Sequence, residues 1–265
     1  WCPRNEGYAT PTMAPRLERL IAGEDGTRFY SPNSRYMNLR TSGPWHYIDE
    51  KEYFAVQACG FTTELGSPSV PTAESMRKFI PESERWPISD TWYYHDLHFG
   101  LPEYCQAVDD LYGKAESLDD FCRKAQLLNI EANKAMYEGW QHHMWNDATG
   151  VLTWMSQSAY PSFVWQTYDY YYDLNGAYWG VRKACEPVHV QWSYADNTVK
   201  AVNATLRGYE GAHVTATVYD MEGREVKRYS REATLTVHPN SAVEALRLPL
   251  SLIHISEPTR LLSIS

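Results

Sequence analysis

The chain has 265 residues, of which 43% are hydrophobic and 22% are charged, and its formal net charge is −9. This composition predicts a globular protein with a sizeable core and excludes an intrinsically disordered one. No apolar run reaches the ~20 residues of a membrane-spanning helix. The acidic balance argues against a nucleic-acid partner, because proteins that bind nucleic acid present basic surfaces.

The first third of the chain predicts helices that alternate with short strands. Residues 12–23 have apolar side chains at helical spacing, and Thr12 is suited to cap that helix. One short strand is predicted over Arg28–Tyr30 and another over Cys59–Glu64, and a helix is predicted over Thr72–Ile80. Alternation of this kind indicates an α/β fold.

The middle of the chain predicts one long loop and one long helix. Residues 81–112 predict an irregular, aromatic-rich connection, of the length that is more often functional than idle. The clearest helix covers 117–138, and Ser117 with Asp120 resembles a capping box at its start. A short apolar strand is predicted over Val151–Met155.

The spacing of apolar residues changes at Pro187, after a helix predicted over 177–184. Beyond that proline, apolar side chains alternate with polar ones, which is the period of a half-buried strand. We therefore predict one domain that ends at residue 186 and an incomplete β-sandwich domain over 187–250. Residues 251–265 resemble the translation of a sequencing adapter, and we expect this tail to be non-native.

The aromatic content suggests carbohydrate as a ligand. There are 10 Trp and 20 Tyr against 7 Phe, and Trp and Tyr combine an apolar ring with a polar group. Such rings can stack on a sugar, but they also fill cores, so composition alone leaves both interpretations open. The five cysteines form no Cys-x-x-Cys pair, so neither a zinc site nor a dense disulfide framework is predicted. We expect no cofactor.

Two carboxylates occupy promising positions. Short strands that end in polar residues and lead into helices suggest a (β/α) barrel, whose active site lies at the carboxyl ends of its strands. Glu6 and Glu64 each have such a position. Glycoside hydrolysis needs two carboxyl groups, one to protonate the leaving oxygen and one to attack the anomeric carbon or activate water. Spacing alone is weak evidence, because a glutamate at a strand end is more often a surface or salt-bridged residue.

Four ordered segments resemble glycoside hydrolase family 2, in the branch that holds exo-β-D-glucosaminidases and β-mannosidases. They are Arg-Asn-Glu-Gly at 4–7, Phe-Thr-Thr-Glu-Leu-Gly-Ser-Pro-Ser-Val-Pro-Thr at 61–72, Thr-Trp-Met-Ser-Gln-Ser-Ala-Tyr-Pro-Ser-Phe-Val-Trp-Gln at 153–166, and Lys-Ala-Cys-Glu-Pro-Val-His-Val-Gln at 183–191. The resemblance implies a partial (β/α)8 barrel, about strands four to eight, over residues 1–186. It implies an immunoglobulin-like domain over 187–250.

The resemblance also implies roles for individual residues. Glu6 matches the general acid/base and Glu64 the nucleophile of a retaining enzyme, and Asn5 matches the residue that hydrogen-bonds the substituent at C2 of the sugar. Trp154 matches a wall of the sugar subsite. Tyr160 stands where many relatives carry another Trp, which leaves its role open. The implied partner is an oligosaccharide or glycoside, with β-mannosides and β-glucosaminides foremost.

Several other features have two interpretations. His142-His143 suggests a solvated helix end, and His95-Asp96 resembles part of a hydrolytic triad but has no Gly-x-Ser-x-Gly segment to accompany it. Three tryptophans either line sugar subsites or pack loops: Trp45, Trp86 and Trp92.

Two further hypotheses compete with the glycosidase: a non-catalytic carbohydrate-binding relative, and an unrelated interaction protein that combines α/β and β parts. Because the matched segments begin at barrel strand four, we expect the chain alone to be poorly stable and inactive. The resemblance implies a bacterial periplasmic or secreted parent. The sequence leaves the compartment and the oligomeric state open.

Overall fold

The computed structural model describes residues 1–37, 40–96 and 99–250, and the backbone of 259–264. Its contacts divide the chain into two compact units. The first unit consists of Trp1–Tyr47, Cys59–Lys124 and Thr149–Asp173, and the second of Ile48–Ala58, Ala125–Ala148 and Leu174–Ser265. The boundary predicted after residue 186 stays a prediction.

The elements up to residue 151 are mostly helical, and their strands are short. In chain order they are α1 (Ala14–Glu24), β1 (Tyr36–Met37), β2 (Arg40–Thr41), α2 (Glu50–Glu52), a π-helical turn (Tyr53–Gln57), β3 (Gly60–Thr62), α3 (Ala73–Phe79), a 3-10 turn (Glu82–Glu84), α4 (Asp90–Tyr94), α5 (Leu101–Tyr112), α6 (Leu118–His142) and β4 (Ala148–Val151).

The elements after residue 151 are mostly strands. They are α7 (Gly176–Ala184), β5 (Val188–Trp192), β6 (Thr198–Asn203), β7 (Tyr209–Tyr219), β8 (Arg231–Val237), β9 (Ser241–Arg247) and β10 (Thr259–Ile264). None of the helices described here is long and apolar enough to span a membrane.

The start of the first unit differs from its prediction in two places. Helix α1 begins at Ala14 after Met13, which makes no side-chain cap bond, so the predicted capping by Thr12 is wrong. The strand predicted over Arg28–Tyr30 is absent. That segment is joined to the first residue of the chain instead: the Trp1 amino group donates to the Phe29 carbonyl, and the Trp1 carbonyl accepts from Ser31.

The loop predicted over 81–112 is wrong, because this segment contains α4 and α5. Helix α5 buries Leu101, Tyr104 and Val108 at helical spacing and ends at Gly113, whose φ is 76°. The many aromatic residues in this segment obscured the helical spacing of its buried side chains. Helix α3 is confirmed, and the Thr72 hydroxyl caps it by accepting from the Ser75 amide at 3.3 Å.

The long helix α6 is confirmed and runs four residues beyond its predicted end, to His142. Half of the predicted capping box is present: the amide of Asp120 donates to the Ser117 hydroxyl at 3.2 Å. The Asp120 carboxylate accepts from Glu116 rather than from Ser117. The helix predicted over 177–184 is confirmed as α7.

The core of the first unit is built from aromatic side chains. Trp92 is fully buried and packs against Phe121 and Phe163, with ring centroids 5.6 Å and 5.4 Å away. Strand β3 pairs with β4, and β1 pairs antiparallel with β2. The strand predicted over Val151–Met155 is therefore displaced, because β4 ends at Val151.

The second unit contains a β-sandwich, as predicted. Its sheets have the strand orders β5-β6-β9 and β10-β7-β8, and side chains of both sheets form one buried apolar cluster. Val214, Ala216 and Val218 of β7 are buried and alternate with more exposed neighbours, which confirms the period-two pattern there. Strands β6 and β9 were not predicted.

Strand β5 departs from its expected burial at Val188–Gln191, whereas Trp192 is buried as expected. The polar residues His189 and Gln191 are buried, whereas Val188 and Val190 are only partly so. Gln191 donates through its amide to the carbonyl of Glu138 in α6 at 2.7 Å, and the His189 ring bonds the Glu186 carbonyl at 2.7 Å. Buried polar groups are tolerated when they are hydrogen-bonded in this way.

The tail predicted to be non-native lies largely outside the described residues. Only the backbone of β10 is described there, and it pairs antiparallel with β7. In the part of the chain that the structure describes, none of the five cysteines forms a disulfide; Cys122 is buried, and Cys2 and Cys185 are exposed.

Candidate active site

Glu6 lies in a turn at the start of the first unit. Its φ of 49° is in the left-handed region, which residues other than glycine seldom adopt. The turn is closed by a hydrogen bond of 2.5 Å from the Gly7 amide to the Asn5 carbonyl. The Glu6 carboxylate is about one-third exposed and forms an ion pair of 3.2 Å with Arg35. The turn therefore presents a partly accessible carboxylate beside a cation.

Ser34 connects the segments that carry the two candidate carboxylates. Its hydroxyl accepts from the Glu6 amide at 2.9 Å and donates to Asn5 Oδ1 at 3.0 Å. Its carbonyl accepts from the Thr63 hydroxyl at 2.5 Å, and its amide donates to the Arg4 carbonyl at 3.1 Å. One residue thus fixes both Asn5-Glu6 and the residue that precedes Glu64.

Glu64 lies two residues after the end of β3. Its side chain is buried, with 8% of the residue exposed. Its carbonyl accepts from the Gly43 amide at 2.7 Å and from the Thr62 hydroxyl at 3.0 Å, and the Gly66 amide donates to Pro44 at 3.0 Å. The strand end is therefore pinned to the 43–44 turn by main-chain hydrogen bonds.

Burial raises the pKa of the Glu64 carboxyl above its ordinary value, and the negative charge of Glu6 raises it further. Two groups oppose this rise: the side chain of Trp45 hydrogen-bonds the Glu64 carboxylate, and the positive charge of Arg35 acts on it. The two carboxylates therefore interact electrostatically, and Arg35 acts on both of them.

Trp45 lies beside Glu64, whose carboxylate its side chain hydrogen-bonds. Its place in a sugar subsite stays a prediction. A Cβ atom at Gly43 would stand 2.8 Å from the Trp45 ring, so only glycine leaves room for it there. The Trp45 carbonyl accepts from the Trp165 indole at 2.6 Å. The Trp45 ring thus lies against Gly43, and its main chain is bound by Trp165.

Trp154 is tied to the same strand end. Its amide donates to the Leu65 carbonyl at 2.9 Å, and its own carbonyl would lie 2.1 Å from a Cβ atom at Gly66. The residue is 40% exposed, so its indole is available to a ligand. Trp154 is therefore hydrogen-bonded to the residue that follows Glu64, and its expected role as a wall of the sugar subsite stays a prediction.

Among the described residues, no hydrogen bond links Tyr160 to Glu6 or Glu64. Burial and the charges of Asp96 and Tyr94 raise the pKa of its phenol. Tyr160 therefore lies near the end of α4, and its expected contact with the sugar stays a prediction.

The rival sites have structural roles. Trp92 packs in the core, and Trp86 packs on Phe121 at 5.9 Å. The His95 ring bonds the Pro161 carbonyl at 2.6 Å, and Asp96 accepts from the Leu101 amide at 2.9 Å. In the described part of the chain, no group of three or more His, Cys, Asp or Glu side chains could hold a metal ion.

Ser34 and Arg35 were not singled out from the sequence. Nothing in Pro-Asn-Ser-Arg distinguishes them from an ordinary turn. The turn chemistry is visible, since Asn33 Oδ1 accepts from the amides of Arg35 and Tyr36 at 3.0 Å and 3.2 Å. The contacts to Glu6 and Thr63 arise only from the fold.

The curated relatives of this chain are named as glycosidases. No protein-family model matches the chain. It is 34% identical to an exo-β-D-glucosaminidase of Streptomyces avermitilis over 85% of the chain and 26% of that protein. It is 32% identical to a mannosylglycoprotein endo-β-mannosidase of Lilium longiflorum over 75% of the chain and 23% of that protein. The resemblance to glycoside hydrolase family 2 is confirmed.

The solved structures of family 2 enzymes agree with this result. The exo-chitosanase of Amycolatopsis orientalis superposes with a TM-score of 0.84 and 26% identity over 98% of the chain and 34% of that protein. A β-D-mannosidase of Dictyoglomus thermophilum shares the fold, with a TM-score of 0.77 and 23% identity over 94% of the chain and 32% of that structure. The chain spans about a quarter of the length of the curated relatives it matches.

Proposed function

We propose that Glu6 and Glu64 are the catalytic carboxylates of a retaining exo-β-glycosidase. The observation that carries this proposal is the double link through Ser34, which binds Glu6 on one side and Thr63 on the other. The effect of the Glu6 charge on the pKa of Glu64 supports it. The relatives are named for β-glucosaminides and β-mannosides, so a glycoside of one of these classes is the proposed substrate.

In the first step, Glu64 acts as the nucleophile. An ionised oxygen of Glu64 attacks the anomeric carbon while the bond from that carbon to the glycosidic oxygen breaks. Glu6 begins protonated and gives its proton to the leaving oxygen. The ion pair with Arg35 must therefore loosen when Glu6 is protonated. The Trp45 hydrogen bond favours the ionised form of Glu64 that this step needs.

In the second step, Glu6 acts as the base. Esterified Glu64 no longer carries a charge, so ionised Glu6 is no longer opposed by it. Glu6 takes a proton from water, and the water oxygen attacks the anomeric carbon as the bond to Glu64 breaks. Two inversions give net retention of configuration. In its ionised state, Glu6 can pair again with Arg35.

The neighbouring residues bind the sugar in this proposal. Asn5 hydrogen-bonds the substituent at C2, and the accessible indole of Trp154 forms a wall of the subsite. Tyr160 contributes to a more distant part of the site. Residues 1–186 form the carboxyl-terminal part of a (β/α)8 catalytic domain, and 187–250 form an immunoglobulin-like domain. Because the resemblance matches only about strands four to eight of the barrel, we expect the chain alone to be inactive.

The test uses the full-length protein that carries these residues, with p-nitrophenyl β-D-mannoside and β-D-glucosaminide. Glu64→Gln should lower kcat by at least about a thousandfold, and Glu6→Gln by about a hundredfold or more. The exposed Glu18 of α1 offers a matched control, and Glu18→Gln should have wild-type activity. NMR of the first sugar released should show the β anomer.

An α anomer as first product, or an active Glu64→Gln variant, would contradict the proposal. A folded protein that binds β-glycosides and hydrolyses none of them would indicate the non-catalytic carbohydrate-binding relative instead.

A further inference from the structure

The main chain of Arg35 is held on both of its sides. Its amide donates to Asn33 Oδ1 at 3.0 Å, and its carbonyl accepts from the Ser42 amide at 2.8 Å. Asn33 is buried, so the acceptor of this turn has a fixed position. The preceding residue, Ser34, links the two segments that carry the candidate carboxylates. The backbone of Arg35 is therefore fixed relative to both of those segments.

The Arg35 guanidinium acts on both carboxylates. It lies 3.2 Å from Glu6 Oε2. Burial and the charge of Glu6 raise the pKa of Glu64, and the positive charge of Arg35 opposes that rise. The other polar groups around them include the Trp45 side chain, which hydrogen-bonds the Glu64 carboxylate, and the Arg4 guanidinium, which lies against the residue after Glu6.

The two steps of the proposed mechanism need opposite charges on the two carboxylates. In the first step Glu64 is ionised and Glu6 is protonated. In the glycosyl-enzyme, Glu64 is an uncharged ester and Glu6 is ionised after it has given up its proton. One negative charge thus passes from Glu64 to Glu6 during the first step. A cation that acts on both groups stabilises the ionised one in each state, whereas a cation that acted on one alone would favour one state over the other.

We propose that Arg35 is a positioning residue shared by the two carboxylates, which interacts with ionised Glu64 in the first step and with ionised Glu6 in the second. A guanidinium suits this role, because it carries five N–H donors and keeps its charge throughout the pH range of catalysis. The inference rests on the proposed function and adds to it the residue that accompanies the transfer of charge.

The pH profile of kcat/KM separates this role from a structural one. The full-length protein is measured with whichever p-nitrophenyl glycoside it hydrolyses faster, so that any ionisation of the substrate is common to all variants. The acidic limb of the profile reports the ionisation of Glu64, and the basic limb reports the loss of the Glu6 proton. A substitution that only loosens the fold lowers the whole profile and leaves both limbs in place.

Arg35→Gln removes the cation, so either carboxylate is less stable in its ionised form. Both limbs should therefore move to higher pH, by about half a pH unit each, since solvent screens a partly exposed ion pair. Arg35→Lys keeps the positive charge and should restore both limbs to their wild-type positions. If the glutamine variant fails to fold, Arg35→Met takes its place. Arg28→Gln is the matched control, since Arg28 pairs with Asp25 away from these carboxylates, and its limbs should not move.

Three outcomes would overturn the inference. They are limbs that stay in place in Arg35→Gln, a shift of one limb alone, and equal profiles in Arg35→Gln and Arg35→Lys. If Glu64→Gln is inactive in the same assays, the proposed function stands without this role for Arg35. If Glu64→Gln hydrolyses the substrate as fast as the wild type does, the proposed function fails and this inference fails with it.

Discussion

The two units hold their important residues in place by different means. In the first unit, the described strands have two to four residues; Glu6 lies in a turn that precedes all of them, and Glu64 lies between β3 and β4. In the second unit, the strands have five to eleven residues and share one apolar cluster. Ladders of main-chain hydrogen bonds therefore support the sandwich, whereas a few single contacts, from side chains such as Ser34 and from the main chain of the 43–44 turn, support the site.

This difference predicts where single substitutions matter most. A ladder distributes its hydrogen bonds over many residues, so one change removes little of the support. The site depends on single residues such as Ser34 and Gly66, whose contacts have no substitute nearby. We therefore expect the largest effects of small changes in the first unit, at the positions where its segments meet.

Gly66→Ala should have the largest effect. A Cβ atom there would stand 2.1 Å from the Trp154 carbonyl and 2.9 Å from the Trp165 ring, so the backbone after Glu64 must move. We expect a loss of about 3 kcal/mol in the free energy of unfolding, measured by denaturant titration, together with loss of glycosidase activity. Gly23→Ala is the matched control, because nothing lies within 4 Å of a Cβ at that position; equal effects of the two substitutions would refute this account of the strand end.

In the second unit, the most sensitive group is a buried carboxyl in α6. Glu138 is 1% exposed, and burial raises its pKa to about 7, although Lys134 lies 3.2 Å away. The folded state therefore holds this proton more tightly than the unfolded state. The resulting stabilisation is complete below the ordinary pKa of 4.5 and is lost as the pH rises through about 7.

The substitution Glu138→Gln removes the pH dependence that this carboxyl gives to the free energy of unfolding. We expect the difference in free energy of unfolding between wild type and Glu138→Gln to fall by about 3 kcal/mol between pH 4.5 and pH 7. His142 has the opposite effect: its burial lowers its pKa to about 4, so its contribution is present above pH 6.5 and is lost as the pH falls towards 4. A difference that stays constant over this range would show that Glu138 is charged in the folded protein.

Trp45→Phe should have a smaller effect, confined to the site. The substitution removes the hydrogen bond to the Glu64 carboxylate but keeps an aromatic ring, so the pKa of Glu64 should rise. The acidic limb of the pH profile of kcat/KM should move to higher pH, with less than about a tenfold loss at the optimum. The exposed Trp179 of α7 supplies the control in Trp179→Phe. An acidic limb that does not move would show that Trp45 has no influence on the ionisation of Glu64.

The same contrast explains what could be predicted from the sequence. Local periodicity was sufficient for α6, α7 and β7, because each buries one face along its own length. It failed for 81–112, where clustered aromatic residues concealed α4 and α5. It also failed for β5, where buried His189 and Gln191 are satisfied by partners elsewhere in the chain. The solvated end expected at His142-His143 is wrong for His142, which is buried.

The candidate site shows the limit of local patterns more clearly. Glu6 and Glu64 could be named from their resemblance to a family, and their neighbours in sequence, Asn5 and Thr63, came with them. Ser34 could not, because its importance arises only when three segments that are distant in sequence meet. A turn of Asn, Ser and Arg occurs in many structural contexts, and only the folded chain shows that this turn links Glu6 to Thr63.

The most direct test of the catalytic pair is to trap the covalent intermediate. A 2-deoxy-2-fluoro glycosyl fluoride of the mannoside type is incubated with the full-length protein. The glycosyl-enzyme then forms quickly, but its hydrolysis is slow, because the fluorine at C2 destabilises the oxocarbenium-like transition states. Peptide mass spectrometry should then find the sugar on Glu64, and Glu64→Gln should take up none. A label on any other residue, or a protein that turns over substrate and is never labelled, would contradict the assignment of Glu64 as the nucleophile.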